Sequence, residues 1–230
     1  MVTLLLANGR VDPNIAEQNG NTALMGAADK GHASVVTLLL ADDRVDPNIT
    51  NQDGYTALMW AAKERHASVV MVLLADDRVE PNMANQNGYT ALMRAAVKGH
   101  ASVVTLLLAD ERVDPNIADE DGYTALKIAA MGEHENILEL LLSNDRVTRT
   151  PPDDHDKQAY DAYNTALHNL KKRRNIALVR GLARTIPRLS ASQLRAAERV
   201  YAPGGAGYET AMTSFNEEQA AQQAAQQAVE

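Results

Sequence analysis

The stretch GYTALMWAAKERHASVV, Gly54 to Val70, decides the fold because the chain repeats it at a fixed spacing. It stands 34 residues earlier as GNTALMGAADKGHASVV and 34 residues later as GYTALMRAAVKGHASVV. Self-similarity at a period of about 20 to 50 residues indicates stacked repeat units rather than one globular core. A fourth, more divergent copy is present, so the units start at Gly20, Gly54, Gly88 and Gly122.

Each unit predicts two short helices and an extended loop. Thr56 is placed as the N-cap of a first helix, ALMWAAKE, which consists of strong helix formers and breaks at Arg65 and His66. Gly31 and Gly99 hold the place of Arg65 in neighbouring units, and a left-handed residue that ends a helix is favoured there. The second helix, ASVVMVLLADD, has valines and leucines on one face, which only a neighbouring unit can bury.

The repeated letters TALM, AA, GH, VV and LLL resemble the ankyrin repeat over residues 1 to about 147. The resemblance implies an all-α solenoid of helix-turn-helix units with projecting hairpin loops, and a concave side formed by the first helices and the turns before them. Three features depart from the family pattern. The family's Pro is Ala throughout, and the period is one residue longer than the usual 33. The family's first-helix His is replaced at Met25, Met59, Met93 and Lys127.

The ends of the array are less regular than its middle. Residues 1–19 align with the second helix and loop of a unit, which predicts a partial first repeat and leaves open an absent upstream segment or an unusual cap. Residues 148–162 have the composition of a linker. YNTALHNLKKRRNIALVRGLARTI aligns with the third unit, so we expect a degenerate capping repeat over 163–187. C-terminal helices are expected over 188–218, and an Ala/Gln-rich, disordered tail over 219–230.

Charge and composition exclude several classes of partner. The formal net charge is -8, and residues 1–147 hold 11 basic against 21 acidic residues, so no nucleic acid is expected as a partner. The basic residues of the tail are concentrated between Lys171 and Arg199. The KKRR stretch there is the solvent-exposed face of a terminal helix, a nuclear-import signal or a contact with an anionic surface. No signal peptide or membrane span is visible, and cysteine is absent. We expect a cytoplasmic monomer, with delivery to a host cell or the nucleus left open.

The sequence predicts neither catalysis nor a cofactor. The four repeat histidines are too far apart to share one zinc ion, so we interpret them as structural, and DDHD at 153–156 as solvated linker. No nucleophile has a base in a known motif, and no phosphate-binding loop follows a strand. Arginines recur at the end of each second helix, where a cation meets the negative helix terminus, and these are also interpreted as structural. They are Arg10, Arg44, Arg78, Arg112 and Arg146.

The positions that differ between near-identical units predict the function. The core demands the same residues in every unit, whereas residues on the first helix and the turn before it vary, and the aromatic residues of the array fall among them. The tyrosines either bind a partner or stack to stiffen the array. We predict a non-enzymatic module that binds a protein partner on this side, or alternatively the targeting fragment of a larger enzyme or secreted effector. The candidate binding residues are Gln52, Asp53, Tyr55, Trp60, Lys63, Gln86, Tyr89, Arg94, Lys98 and Tyr123.

Overall fold

The computed structural model describes residues 11–152 and 157–185. Within them the secondary structure is helical, apart from isolated bridges between Ala16 and Thr22 and between Ala118 and Thr124. The helices are α1 Ala23–Asp29, α2 Ala33–Leu40, α3 Ala57–Lys63, α4 Ala67–Leu74, α5 Ala91–Val97, α6 Ala101–Ala109, α7 Ala125–Met131, α8 Glu135–Ser143 and α9 Lys157–Thr185. The first eight form four pairs, as the all-α repeat prediction requires. None of the described helices is both long enough and apolar enough to cross a bilayer.

The first helix of each pair begins and ends for the reasons inferred from the sequence. A threonine hydroxyl accepts a hydrogen bond from the backbone N–H three residues later, as Thr56 does from Met59 at 3.3 Å. The residue before each repeat histidine has a positive φ, which turns the chain into the second helix. These residues are Gly31 at 72°, Arg65 at 65°, Gly99 at 69° and Glu133 at 53°.

The core consists of two rows of helices. The first helices, α1, α3, α5 and α7, pack on one another in order, and so do the second helices, α2, α4, α6 and α8. The Ala-Ala pairs permit the close approach of the first helices, while valines and leucines fill the space between second helices. Met25, Met59 and Met93, which replace the family's histidine, are each 1% exposed and belong to this core.

Arginine side chains bind each repeat to the one before it. Arg78 Nη2 donates to the carbonyl of Leu40 at 2.7 Å, and Arg112 Nη2 donates to that of Leu74 at 2.5 Å. Both carbonyls lie at the last turn of a second helix, where carbonyls have no partner within the helix. Arg146 contacts Leu108 in the same way. These arginines therefore have a structural role, as the sequence suggests. The helix end that each one contacts belongs to the preceding repeat and not to its own.

The repeat histidines connect each repeat to the end of the preceding first helix. The Nε2 atoms of His66, His100 and His134 lie 2.9 to 3.0 Å from the carbonyls of the residues that end α1, α3 and α5. Because a carbonyl only accepts, each ring donates from Nε2. The histidines are therefore engaged with backbone, as the structural interpretation expects.

Asparagines in the loops add a third connection. Asn82 Nδ2 donates to the carbonyl of Arg112 at 2.7 Å, while its Oδ1 accepts from the N–H of Asp114 at 2.8 Å. Asn48 makes the equivalent pair of bonds with Arg78 and Glu80. Each asparagine thus reaches forward into the next loop, which keeps successive hairpin loops in register.

The segment after the array differs from the expected capping repeat. The sequence predicts two helices over 163–187, but the structure forms one continuous helix, α9, that already begins at Lys157 inside the expected linker. The helix runs through Arg174 and Asn175, which align with Gly99 and His100, so the turn that ends a first helix in the other repeats does not form there. The two-helix form is therefore corrected to a single helix.

Contacts divide the chain at Asn164, within α9, into units 1–164 and 165–230. In the first unit Ala159 and Tyr163 of α9 are buried, and the Tyr163 hydroxyl donates to the carbonyl of Arg149 at 3.2 Å. Burial raises the pKa of Tyr163. In the second unit the described residues continue α9 to Thr185. The helices expected over 188–218, the tail 219–230, the DDHD stretch and residues 1–10 of the partial first repeat lie outside the described residues.

Candidate partner-binding surface

The side of the array formed by α1, α3, α5, α7 and the turn before each helix is called the first-helix face. The fourth helix residue on this face is Gly26, Trp60, Arg94 and Ile128 in the four repeats. A side chain added at Gly26 would meet no atom within 4 Å, which shows open space at that place in the first repeat. Trp60 and Arg94 are half-buried, whereas Ile128 is only 7% exposed. This position is therefore exposed in the first repeat, half-buried in the second and third, and buried in the fourth.

Aromatic rings and cations alternate across the second and third repeats. The ring centroids of Tyr55 and Trp60 are 4.9 Å apart with planes tilted by 36°. Lys63 Nζ lies 4.3 Å from the Trp60 ring centroid. The Arg94 guanidinium carbon lies between two tyrosines, 4.8 Å from the Tyr55 centroid and 4.4 Å from the Tyr89 centroid. We call these five residues the aromatic strip.

The strip links tyrosines of neighbouring repeats. Tyr55 and Tyr89 are joined through the intervening Arg94 rather than by the direct stacking considered from the sequence. Such cation–π contacts each stabilise by about 0.5 to 1 kcal/mol at exposed sites. The fourth repeat has a separate example, since Lys127 Nζ lies 4.3 Å from the ring centroid of Tyr123. Burial raises the pKa of the Tyr89 hydroxyl.

Two donors in the strip lack a hydrogen-bond partner. Trp60 Nε1 and Arg94 Nε are buried, and no described residue accepts a hydrogen bond from either. A buried donor without a partner costs about 1 to 3 kcal/mol. Because most buried polar groups in proteins are paired, such orphans call for an explanation. Both donors belong to the aromatic strip, so a ligand that supplies hydrogen-bond acceptors could bind there.

The remaining predicted residues lie around the strip. Gln52 and Gln86 are exposed on the turns, and the side-chain amide of each donates to a backbone carbonyl one repeat earlier, that of Gln18 and of Gln52. Asp53 is exposed on the same turn as Gln52, and Lys98 is exposed at the end of α5. The structure thus brings together five of the predicted residues and places these four on the edges. Lys127 is not among the predicted binding residues. The sequence did carry a signal for it, because Lys127 stands where the other units have a core methionine.

The strip is suited to non-covalent binding. Half-buried aromatic rings offer contact area at small entropic cost, and guanidinium and ammonium groups add directed donors. The described residues contain no group of three or more His, Asp or Glu side chains that could hold a metal ion.

Comparison with known proteins identifies the repeat. The family model described as ankyrin repeats, in three copies, matches residues 1–82 and 73–151. Among solved structures, the crystal structure of EF0377, an ankyrin repeat protein, is similar with a TM-score of 0.63 and 24% sequence identity. The similarity covers 71% of this chain and 88% of that one, and at this identity it bears on the fold alone. A search of curated proteins finds no match.

Proposed function

The chain belongs to the ankyrin-repeat family, and from this premise we propose that it is a non-enzymatic module that binds a protein partner on the first-helix face. Protein–protein interaction is the general role of ankyrin repeats, and the family is generally not enzymatic. In the family the first helices and their turns form the concave side on which partners bind. The proposal assigns the same use to this chain.

The aromatic strip is the observation that carries the proposal. The core of a repeat is complete with Leu, Met, Ala and Val, which are the same in the second and third units. The first unit has Asn21 and Gly26 at the places of Tyr55 and Trp60, so its core forms without rings there. Tyr, Trp and Arg are the residues most enriched among binding hot spots. Their grouping on one face therefore favours recognition over internal support.

The experiment compares two variants within one repeat. Trp60→Ala changes the strip, and Met71→Ala changes a residue on α4 that is 58% exposed and belongs to the second-helix side. Proteins captured from a lysate by the intact chain are quantified, and the free energy of unfolding of each variant is measured alongside. We expect Trp60→Ala to weaken capture by about tenfold or more and Met71→Ala to leave it unchanged. Equal capture by both variants would refute the assignment to the first-helix face.

The monomeric state, the cytoplasmic location and the absence of nucleic-acid partners stay predictions from the sequence. Light scattering on the purified chain tests the first of them directly. A dimer that covers Trp60 would overturn both the monomer and the free binding face.

A further inference from the structure

Charge is unevenly distributed within the array. The first helices with their N-caps and the two residues after them span 22–31, 56–65, 90–99 and 124–133. They hold six cations and three acids, whereas the rest of the described array to residue 147 holds four cations and eighteen acids. Those four cations are the arginines bonded to neighbouring repeats. The first helices with these flanking residues are therefore net cationic within an otherwise acidic array, whereas the turns before them carry acids and no cation, except in the third repeat, whose turn carries neither.

The cationic excess is strongest at the third repeat. Lys30 and Lys63 each pair with the acid beside them, Asp29 at 2.9 Å and Glu64 at 3.2 Å. The segment 90–99 instead contains Arg94 and Lys98 and no acid. Arg94 is held between two rings, which orders its guanidinium at little further entropic cost to a ligand. This arrangement places a cation at the middle of the strip.

The two donors without a hydrogen-bond partner indicate that a ligand must supply acceptors. The indole N–H of Trp60 and the Nε–H of Arg94 both need an acceptor, and neither finds one among the described residues. Carboxylates are among the acceptors that guanidinium groups bind most strongly. Because both donors are covered in the free chain, a ligand reaches them by a small rotation of the two half-buried side chains, which is a common change at interfaces.

We propose that the aromatic strip binds an acidic segment of the protein partner. A side-chain carboxylate of that segment accepts from Arg94, and a second carboxylate or a backbone carbonyl accepts from Trp60 Nε1. This inference rests on the proposed function and adds the chemistry of the partner to it. The acids that act on Tyr89, Asp119 and Asp121, belong to the next hairpin loop. They repel an acidic ligand on the loop side and so direct its carboxylates towards Arg94 and Lys98.

The test selects peptide ligands from a random library, so it does not require the partner to be identified first. A phage library of random dodecapeptides is selected on the intact chain, and the enriched peptides are synthesised. Binding is measured by the anisotropy of a fluorescent label on the peptide and by the emission of Trp60, the only tryptophan in the chain. We expect the peptides whose binding depends on Trp60 to be rich in Glu and Asp and to change its emission. Their affinity should fall as salt is raised.

Variants separate charge from geometry. Arg94→Gln should weaken the acidic peptides about tenfold, and Arg94→Lys should weaken them less, because it keeps the charge and loses the planar fork. Lys157→Gln is the control for net charge, since Lys157 is exposed at the start of α9, and it should have no effect. Asp121→Asn should strengthen binding. Unfolding of every variant is followed by circular dichroism.

The outcomes distinguish the two claims. If the peptides that depend on Trp60 are neutral or basic, or if Arg94→Gln leaves the affinity of acidic ones unchanged, the acidic-partner inference is wrong while the binding face stands. If no enriched peptide depends on Trp60 or Tyr89, the proposed function fails together with the inference.

Discussion

Replacing Arg65 by glycine should stabilise the protein. Arg65 has a φ of 65°, in the left-handed region that costs an L-residue with a side chain roughly 1 to 2 kcal/mol. Glycine removes that cost, but it also gives the unfolded chain more freedom, which returns about 0.4 to 1 kcal/mol. The Arg65 side chain is exposed, so little contact is lost. We expect a net gain of about 0.5 to 1 kcal/mol, which corresponds to roughly 1 to 4 °C in Tm for a chain of this size.

The repeats contain the matched controls for this substitution. Gly31 and Gly99 occupy the same position with φ of 72° and 69°. A Cβ at Gly31 would lie 2.6 Å from His66 Nδ1, and one at Gly99 would lie 3.1 Å from the nearest ring atoms of His134. Gly31→Ala and Gly99→Ala should therefore destabilise, with the larger loss at Gly31. Alanine combines the unfavourable φ with a contact against the next repeat.

The assay is urea unfolding monitored by far-ultraviolet circular dichroism and by Trp60 emission. Equal slopes of unfolding free energy against urea concentration show that variants differ in stability and not in the surface exposed on unfolding. If Arg65→Gly lowers the free energy of unfolding, the backbone conformation does not govern this position. An unknown interaction of the arginine side chain would then be the stronger effect.

Three further predictions concern the hydrogen bonds of the loop asparagines, the pH dependence of stability and the aromatic strip. Asn82→Ala removes both hydrogen bonds to the next loop and should cost about 1 to 3 kcal/mol in urea unfolding, whereas Asn87→Ala, at an exposed turn residue, should cost little. Hydrogen bonds from the neighbouring arginine side chains lower the pKa of Asp76 and Asp110. The two ionised carboxylates therefore stabilise the fold fully above their unfolded pKa of about 3.9. This stabilisation is lost as pH falls through the lower pKa of the folded state. Asp110→Asn should accordingly make stability less sensitive to acid below about pH 4, and an unaltered pH profile of Tm would contradict this. Trp60→Phe keeps a ring beside Tyr55 and removes a donor that has no partner, so it should lower stability by less than about 1 kcal/mol, and a larger loss in thermal unfolding would show that the indole N–H is bonded in solution.

The fold of the array could be predicted because each repeat carries the same local signals. Threonine caps, the left-handed position before each histidine and the apolar faces depend on residues within one unit, and all follow the expected pattern. Residues 163–187 match the letters of a repeat, but the structure has one helix through the described part of this segment. Whether a helix ends at Arg174 depends on contacts with neighbouring residues that matching letters do not specify, and the structure continues the helix through it.

The candidate site could be predicted only in part, for a different reason. The sequence places Trp60 among the variable residues, but it does not indicate that the indole is half-buried or that Tyr55 of the same repeat packs on it. The position of Arg94 between Tyr55 and Tyr89 joins residues of two repeats, and the partner carbonyl of each of the bonded histidines lies one repeat back. Contacts across repeats depend on the stacking geometry, which the period indicates but does not specify atom by atom.

The connections between repeats have a consequence for how such a chain can change length. Arginines and histidines reach back to a helix end, and loop asparagines reach forward, in each case to the equivalent group of an adjacent unit. A gene duplication that inserts 34 residues in register would therefore create two junctions with all three bonds already complete. Such an insertion needs no compensating mutation in the old units, and it adds one fresh set of variable residues to the first-helix face. Under the proposed function, copying a unit would extend the binding face, because the copied bonds keep the new unit folded while its variable residues diverge.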